Sequence, residues 1–135
     1  MNLKSLDILR RLAEIKAQAA LADLASARRR AAQHAAAVEE AEEHLRATYA
    51  EDPGATVLWR LRAGLERRAV EARAARDRAE AQSEKLTMGA RDAVARELGA
   101  GRLIDRARAA QALVDARRAE RSAEVARLTA PRLDI

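Results

Sequence analysis

The chain has 135 residues and a mass of 14.8 kDa, which suits one domain and leaves no room for two independent hydrophobic cores. Leu, Ile and Val number 16, 4 and 6 and Phe is absent, whereas Ala, Glu, Lys, Leu and Arg together make 91 of the 135 residues, the composition of a coiled coil or long helix. One Trp, one Tyr, five Gly and two Pro exclude an aromatic core and the many turns of a β-sandwich or barrel. The formal charge is +5, with the two signs interleaved as on solvated helix surfaces. Residues 1–52 carry net −1 and the rest net +6, so any basic face lies on the second part. Arg outnumbers Lys 23 to 3, a bias produced either by bidentate recognition of carboxylate and phosphate or by a GC-rich genome.

Helical periodicity begins near Leu3 and runs through Ile8, Leu12 and Ile15. It continues as Leu24, Ala27, Ala31, His34, Val38, Ala41, Leu45 and Thr48, at alternating spacings of three and four. Such a heptad stripe predicts a partner-packed helix over about residues 3 to 51. Glu51-Asp52-Pro53-Gly54 is the one firm break, because Pro disfavours helix at the residue before it and Gly permits a left-handed backbone. A turn over about residues 52 to 55 follows, with either Asp52 or Thr56 as the cap of the next helix. That helix is predicted over about 56 to 129, with a stripe of Leu58, Leu61, Leu65, Ala69, Ala72, Ala75, Ala79, Gln82 and Leu86. A seam built of Ala lets two helices approach near the lower end of the usual spacing. Gly99 and Gly101 weaken the second helix by about 1 kcal/mol each relative to Ala, which predicts a possible kink or soft joint there. Leu103 to Leu128 resumes the pattern and stops before Pro131.

Taken as continuous, the two helices would be roughly 73 Å and 110 Å long, and a break of about four residues folds the second back along the first. The expected fold is all-α: a single long antiparallel two-helix coiled-coil hairpin over residues 1–135, its second helix longer than its first. The overshooting part of that helix has no partner in the chain. Another molecule covers it, or it frays, or it folds back at Gly99 to Gly101.

Chemistry-bearing motifs are scarce. There is no Cys, so no disulfide or thiolate. The longest uncharged run, Ala31 to Val38, is far short of the roughly 20 residues a membrane span needs, and Lys4, Asp7, Arg10, Arg11 and Glu14 stand where a signal peptide would be apolar. A cytoplasmic protein without membrane insertion is expected. No Walker-type glycine loop is present, and Gly99-Ala100-Gly101 lacks a third Gly. His34 and His44 are ten residues apart, too far for a zinc pair. Glu40 and His44 share a helix face as a surface polar pair, and no Ser has a base or an elbow motif beside it. The expectation is a non-enzyme with no catalytic, cofactor or metal residues.

Three features bear on binding. Arg28-Arg29-Arg30 and Glu39-Glu40-Ala41-Glu42-Glu43 are either solvated surface or zones matching opposite charge on a partner. Trp59, just past the turn, either caps the hairpin's end or anchors a partner. From Leu98 onward eight Arg face five acids, for a net +3.

These features resemble the FliJ family, the stalk proteins of flagellar and type III secretion export machinery, and its virulence-system counterparts. The resemblance rests on chain length, the hairpin with a longer second arm, Trp59 followed by Leu61-Arg62-Ala63-Gly64-Leu65-Glu66-Arg67, and the charged stretch Leu113-Val114-Asp115-Ala116-Arg117-Arg118-Ala119-Glu120. It implies a non-enzymatic stalk similar in shape to the rotating coiled-coil subunit of rotary ATPases. The end with both termini would sit in a hexameric export ATPase, through Leu6, Leu9, Arg10, Arg117, Arg118 and Arg121. The turn end would meet a membrane export-gate protein through Trp59, Leu61 and Leu65. Export chaperones are further partners implied by the resemblance, and the location implied is cytoplasmic, peripheral to the membrane export apparatus.

Two other readings stand beside it. One is a structural coiled coil that self-associates through unpartnered arms. The other is a basic helical nucleic-acid binder, against which count the interleaved acids and the lack of aromatics to stack on bases.

Overall fold

A computed structural model describes residues 2–50 and 56–131, and these form two helices: α1 over Leu3–Tyr49 and α2 over Thr56–Thr129. Among the described residues there is no strand, and the expected all-α hairpin with a longer second helix is present. The expected turn at 52 to 55, including the candidate cap Asp52, lies outside the described residues. Asn2 starts α1 by accepting the Ser5 backbone N–H on its Oδ1 at 2.8 Å, an N-cap that contributes about 1 kcal/mol. Pro131 follows two residues after the end of α2, where it cannot continue the helix.

The chain divides into two units, one of Lys16–Ala93 and one of Met1–Ile15 with Val94–Ile135. In the larger unit the buried residues are Ala17, Leu24, Ala27, Val38 and Thr48 on α1 and Ala69 and Ala90 on α2. Half-buried Ala20, Ala31, His34, Ala41 and Leu45 complete the α1 stripe at steps of three and four, so the predicted periodicity from Leu24 to Thr48 is the one that packs. Arg73 meets Glu42 at 3.0 Å and Arg62 donates to the Thr48 carbonyl at 3.1 Å. Numbering therefore rises along α1 as it falls along α2, and the pair is antiparallel. The Arg73–Glu42 pair is exposed and contributes at most about 1 kcal/mol. Burial of this seam comes mainly from Ala, whose small side chains let the helix backbones close on each other.

On α2 half-buried Arg76 shares the stripe with Ala75, and at two other places the stripe departs from expectation. Leu61 is half exposed, and Arg62 takes the seam position in its stead. The aliphatic stem of Arg62 fills the space while its guanidinium reaches a carbonyl and an aromatic ring. Gln82 is likewise exposed, and half-buried Ser83 replaces it.

In the smaller unit Leu6 and Ile104 are buried, with Leu3, Ala13, Ala100 and Ala107 half-buried. Arg108 pairs with Asp7 across the helices at 3.6 Å. Ile8, Leu12 and Ile15, expected on the seam, are instead 60%, 49% and 61% exposed. Leu3, Leu6 and Ala13 set the phase here, and that phase turns the Ile8 stripe to the outer side of α1. The α2 helix runs through Gly99 and Gly101 without interruption, and no described glycine has a positive φ. A Cβ at either position would meet nothing within 4 Å. Gly99→Ala with Gly101→Ala is therefore expected to stabilise the chain by up to about 1 kcal/mol per site, read as a rise of several degrees in a circular-dichroism melt.

Candidate partner-binding surfaces

The larger unit carries an aromatic and charged cluster where the last turn of α1 meets the first turns of α2. The Tyr49 hydroxyl donates to Glu66 Oε1, the Arg62 guanidinium lies 4.7 Å over the Tyr49 ring, and the same side chain donates to the Thr48 carbonyl. Thr48 in turn donates its hydroxyl to the His44 carbonyl at 2.8 Å. Hydrogen bonding to Glu66 pushes the Tyr49 phenol above its ordinary value; desolvation and the Glu66 charge add to this, and Arg62 opposes it. A phenol raised in the folded state stabilises the fold at lower pH and loses that contribution as pH climbs through the raised value. With one tyrosine in the chain, absorbance at 295 nm is expected to show ionisation above the usual value of about 10, and Glu66→Gln is expected to move it down.

Trp59 lies on the same face of α2 as Arg62 and Glu66 by helical spacing, and it is 67% exposed. Leu61 is exposed, but two residues from Trp59 it points about 200° around the helix. Leu65 is half-buried on the seam. The three residues expected at the export gate therefore do not form one patch: Leu61 and Leu65 adjoin each other by helical spacing, and Trp59 lies on the side of Glu66.

In the smaller unit Leu9 and Arg10 are exposed, while Leu6 is buried and its side chain is spent between the helices. Arg117, Arg118 and Arg121 are exposed on the stretch of α2 past the Arg108–Asp7 ion pair: every residue from Ala109 to Pro131 is exposed. Of the six residues expected at the ATPase, five are thus open to solvent. The sequence reading missed the outward stripe of Ile8, Leu12 and Ile15. Its signal was present, since Leu3 and Leu6 already occupy a second face of the same turns.

Between the helices of the larger unit are shallow grooves rather than closed cavities. One of about 290 Å³ is lined by Ala27, Arg30, His34, Ala75, Arg78, Ala79 and Gln82. Another, lined by Ala37, Glu40, Ala41, His44, Leu65 and Arg68, holds the Glu40 and His44 pair. Among the described residues no three His, Cys, Asp or Glu side chains gather as metal ligands, and no helix is long and apolar enough to cross a membrane.

No family model, no curated protein and no solved structure matches the chain. Function rests on the surfaces themselves.

Proposed function

We propose that the chain is a non-enzymatic coupling stalk of a flagellar or type III protein export apparatus, cytoplasmic and peripheral to the membrane. In this reading its terminal end engages a hexameric export ATPase and its turn end an export-gate protein, with export chaperones as further partners. The observation that carries the reading is the run of exposed α2 helix beyond Ala107, a second arm that outlasts the first. An exposed indole, Trp59 in the larger unit, adds a second contact point of the kind enriched in binding hot spots. The resemblance to the FliJ family supplies the partners.

Hydrolysis by the purified cognate export ATPase, measured with and without this protein, tests the reading. Stimulation of several-fold is expected, and it is expected to disappear in an Arg117→Ala, Arg118→Ala, Arg121→Ala variant. Those side chains are exposed, so the melt of the variant should stay within about 0.5 kcal/mol per site of the wild type. Trp59→Ala is expected to leave stimulation intact and to impair export. Absence of both stimulation and co-elution sinks the proposal.

A further inference from the structure

The stripe that carries Ile104 and Ala107 into the seam does not stop where α1 begins. It continues at steps of four and three through Gln111, Val114, Arg118, Arg121, Val125 and Leu128, all of them exposed. A heptad stripe with this spacing, apolar at Val114, Val125 and Leu128, is shaped to receive another helix. At its centre are two arginines, and their surroundings decide what that helix must be. In the larger unit, Arg62 and Arg76 occupy the equivalent stripe on α2. Arg62 is held by the Thr48 carbonyl and the Tyr49 ring, and Arg76 pairs with Asp77 at 3.1 Å and Glu80 at 4.0 Å. By contrast, among the described residues neither Arg118 nor Arg121 has a side-chain hydrogen bond or ion pair, and nearby Asp115 accepts from Gln111 at 3.0 Å. Two guanidiniums stand in a docking stripe with no carboxylate assigned to them.

We propose that this face of α2 binds an acidic helix of another protein, one that presents apolar side chains to Val114 and Val125 and carboxylates to Arg118 and Arg121. In the midpoint register, charge disfavours the simplest competing occupant, a second copy of the same arm. Antiparallel pairing of two arms about their midpoint sets Val114 against Val125, but it also sets Arg118 and Arg121 of one copy against Arg121 and Arg118 of the other. Four like charges would then share a desolvated centre with no acid on the stripe, which disfavours association. A partner helix with two carboxylates at those positions converts the same arginines into charge-assisted, bidentate contacts. The proposal rests on the reading of this arm as a docking element and adds the chemistry of what docks.

The test needs no export component, so its failure and the failure of the stalk reading are distinguishable. Two labelled synthetic helical peptides of three heptads, identical in their apolar seam, carry Glu or Lys at the two central seam positions. Each is titrated with the full-length protein and followed by fluorescence anisotropy. The Glu peptide is expected to bind roughly 100-fold or more tightly than the Lys peptide, because the wrong sign leaves desolvated charges opposed. The variant Arg118→Glu with Arg121→Glu, both exposed and so expected to leave the fold intact, should reverse the preference. Equal affinity for the two peptides, no binding of either, or a dimer of the chain that excludes the peptide by light scattering would each overturn the proposal.

Discussion

Ala90→Asp is expected to destabilise the larger unit by about 3 kcal/mol, because it places a carboxylate where the side chain is almost fully enclosed. Ala90 is 2% exposed, and its neighbours along the α2 stripe are Leu86 and Ala93. Asp has too short a stem to carry its charge out to water, as Arg62 does in the same seam. A loss of this size corresponds to a fall in the melting midpoint of roughly 10 °C for a chain of this length. Ala81→Asp is the control: Ala81 is exposed on the same helix, and the change should cost only the difference in helix propensity, about 0.7 kcal/mol. Parallel melts of the two variants at 222 nm decide the matter. Equal shifts would mean that the Ala seam is not a desolvated interface.

Ile104→Ala is expected to cost about 2 to 4 kcal/mol, the usual range for removing a fully buried branched side chain. Ile104 is 1% exposed and is the largest fully buried side chain among the described residues. The loss should be local. Amide exchange is expected to speed up in residues 3 to 15 and 97 to 107, with little change from 24 to 48 or 65 to 90, because the two units have separate sets of contacts. Leu103→Ala, next to it and 54% exposed, should shift the midpoint by much less. Unchanged exchange in residues 3 to 15 would show that Ile104 does not hold α1 against α2.

Much of the fold was legible because heptad spacing is a property of sequence. Leu24 to Thr48 read correctly, since Leu24, Val38 and Leu45 mark the stripe and the Ala and His between them keep its step. Legibility failed where a stripe of small residues competed with larger ones on another face. Ile8, Leu12 and Ile15 outweigh Ala13, Ala17 and Ala20 on any hydrophobic scale, yet it is the alanines that pack, because continuing the phase of Leu24 and Ala27 brings them to α2. Leu61 and Arg62 form the same kind of contest. Leu is the better core residue by composition, but the register gives the seam to Arg62, whose head finds Thr48 and Tyr49. The Tyr49–Glu66 contact joins residues 17 apart across the turn, so it depends on register and leaves no local signature. For the candidate surfaces, exposure of Arg117, Arg118 and Arg121 followed from the overshoot. The separation of Trp59 from Leu61 was already implicit in their spacing of two along a helix.

The last part of α2 has no partner among the described residues, and this is the claim on which the rest depends. Hydrogen exchange read by mass spectrometry, at a concentration where light scattering gives a monomer, tests it most directly. Amides of residues 108 to 129 are expected to exchange far faster than those of 97 to 107 in the free protein, because helix without packing opens at little cost. If the proposed function holds, addition of an export ATPase should then protect the arm selectively. Equal protection of both segments in the free monomer would contradict the claim, since it would mean that the arm is already covered.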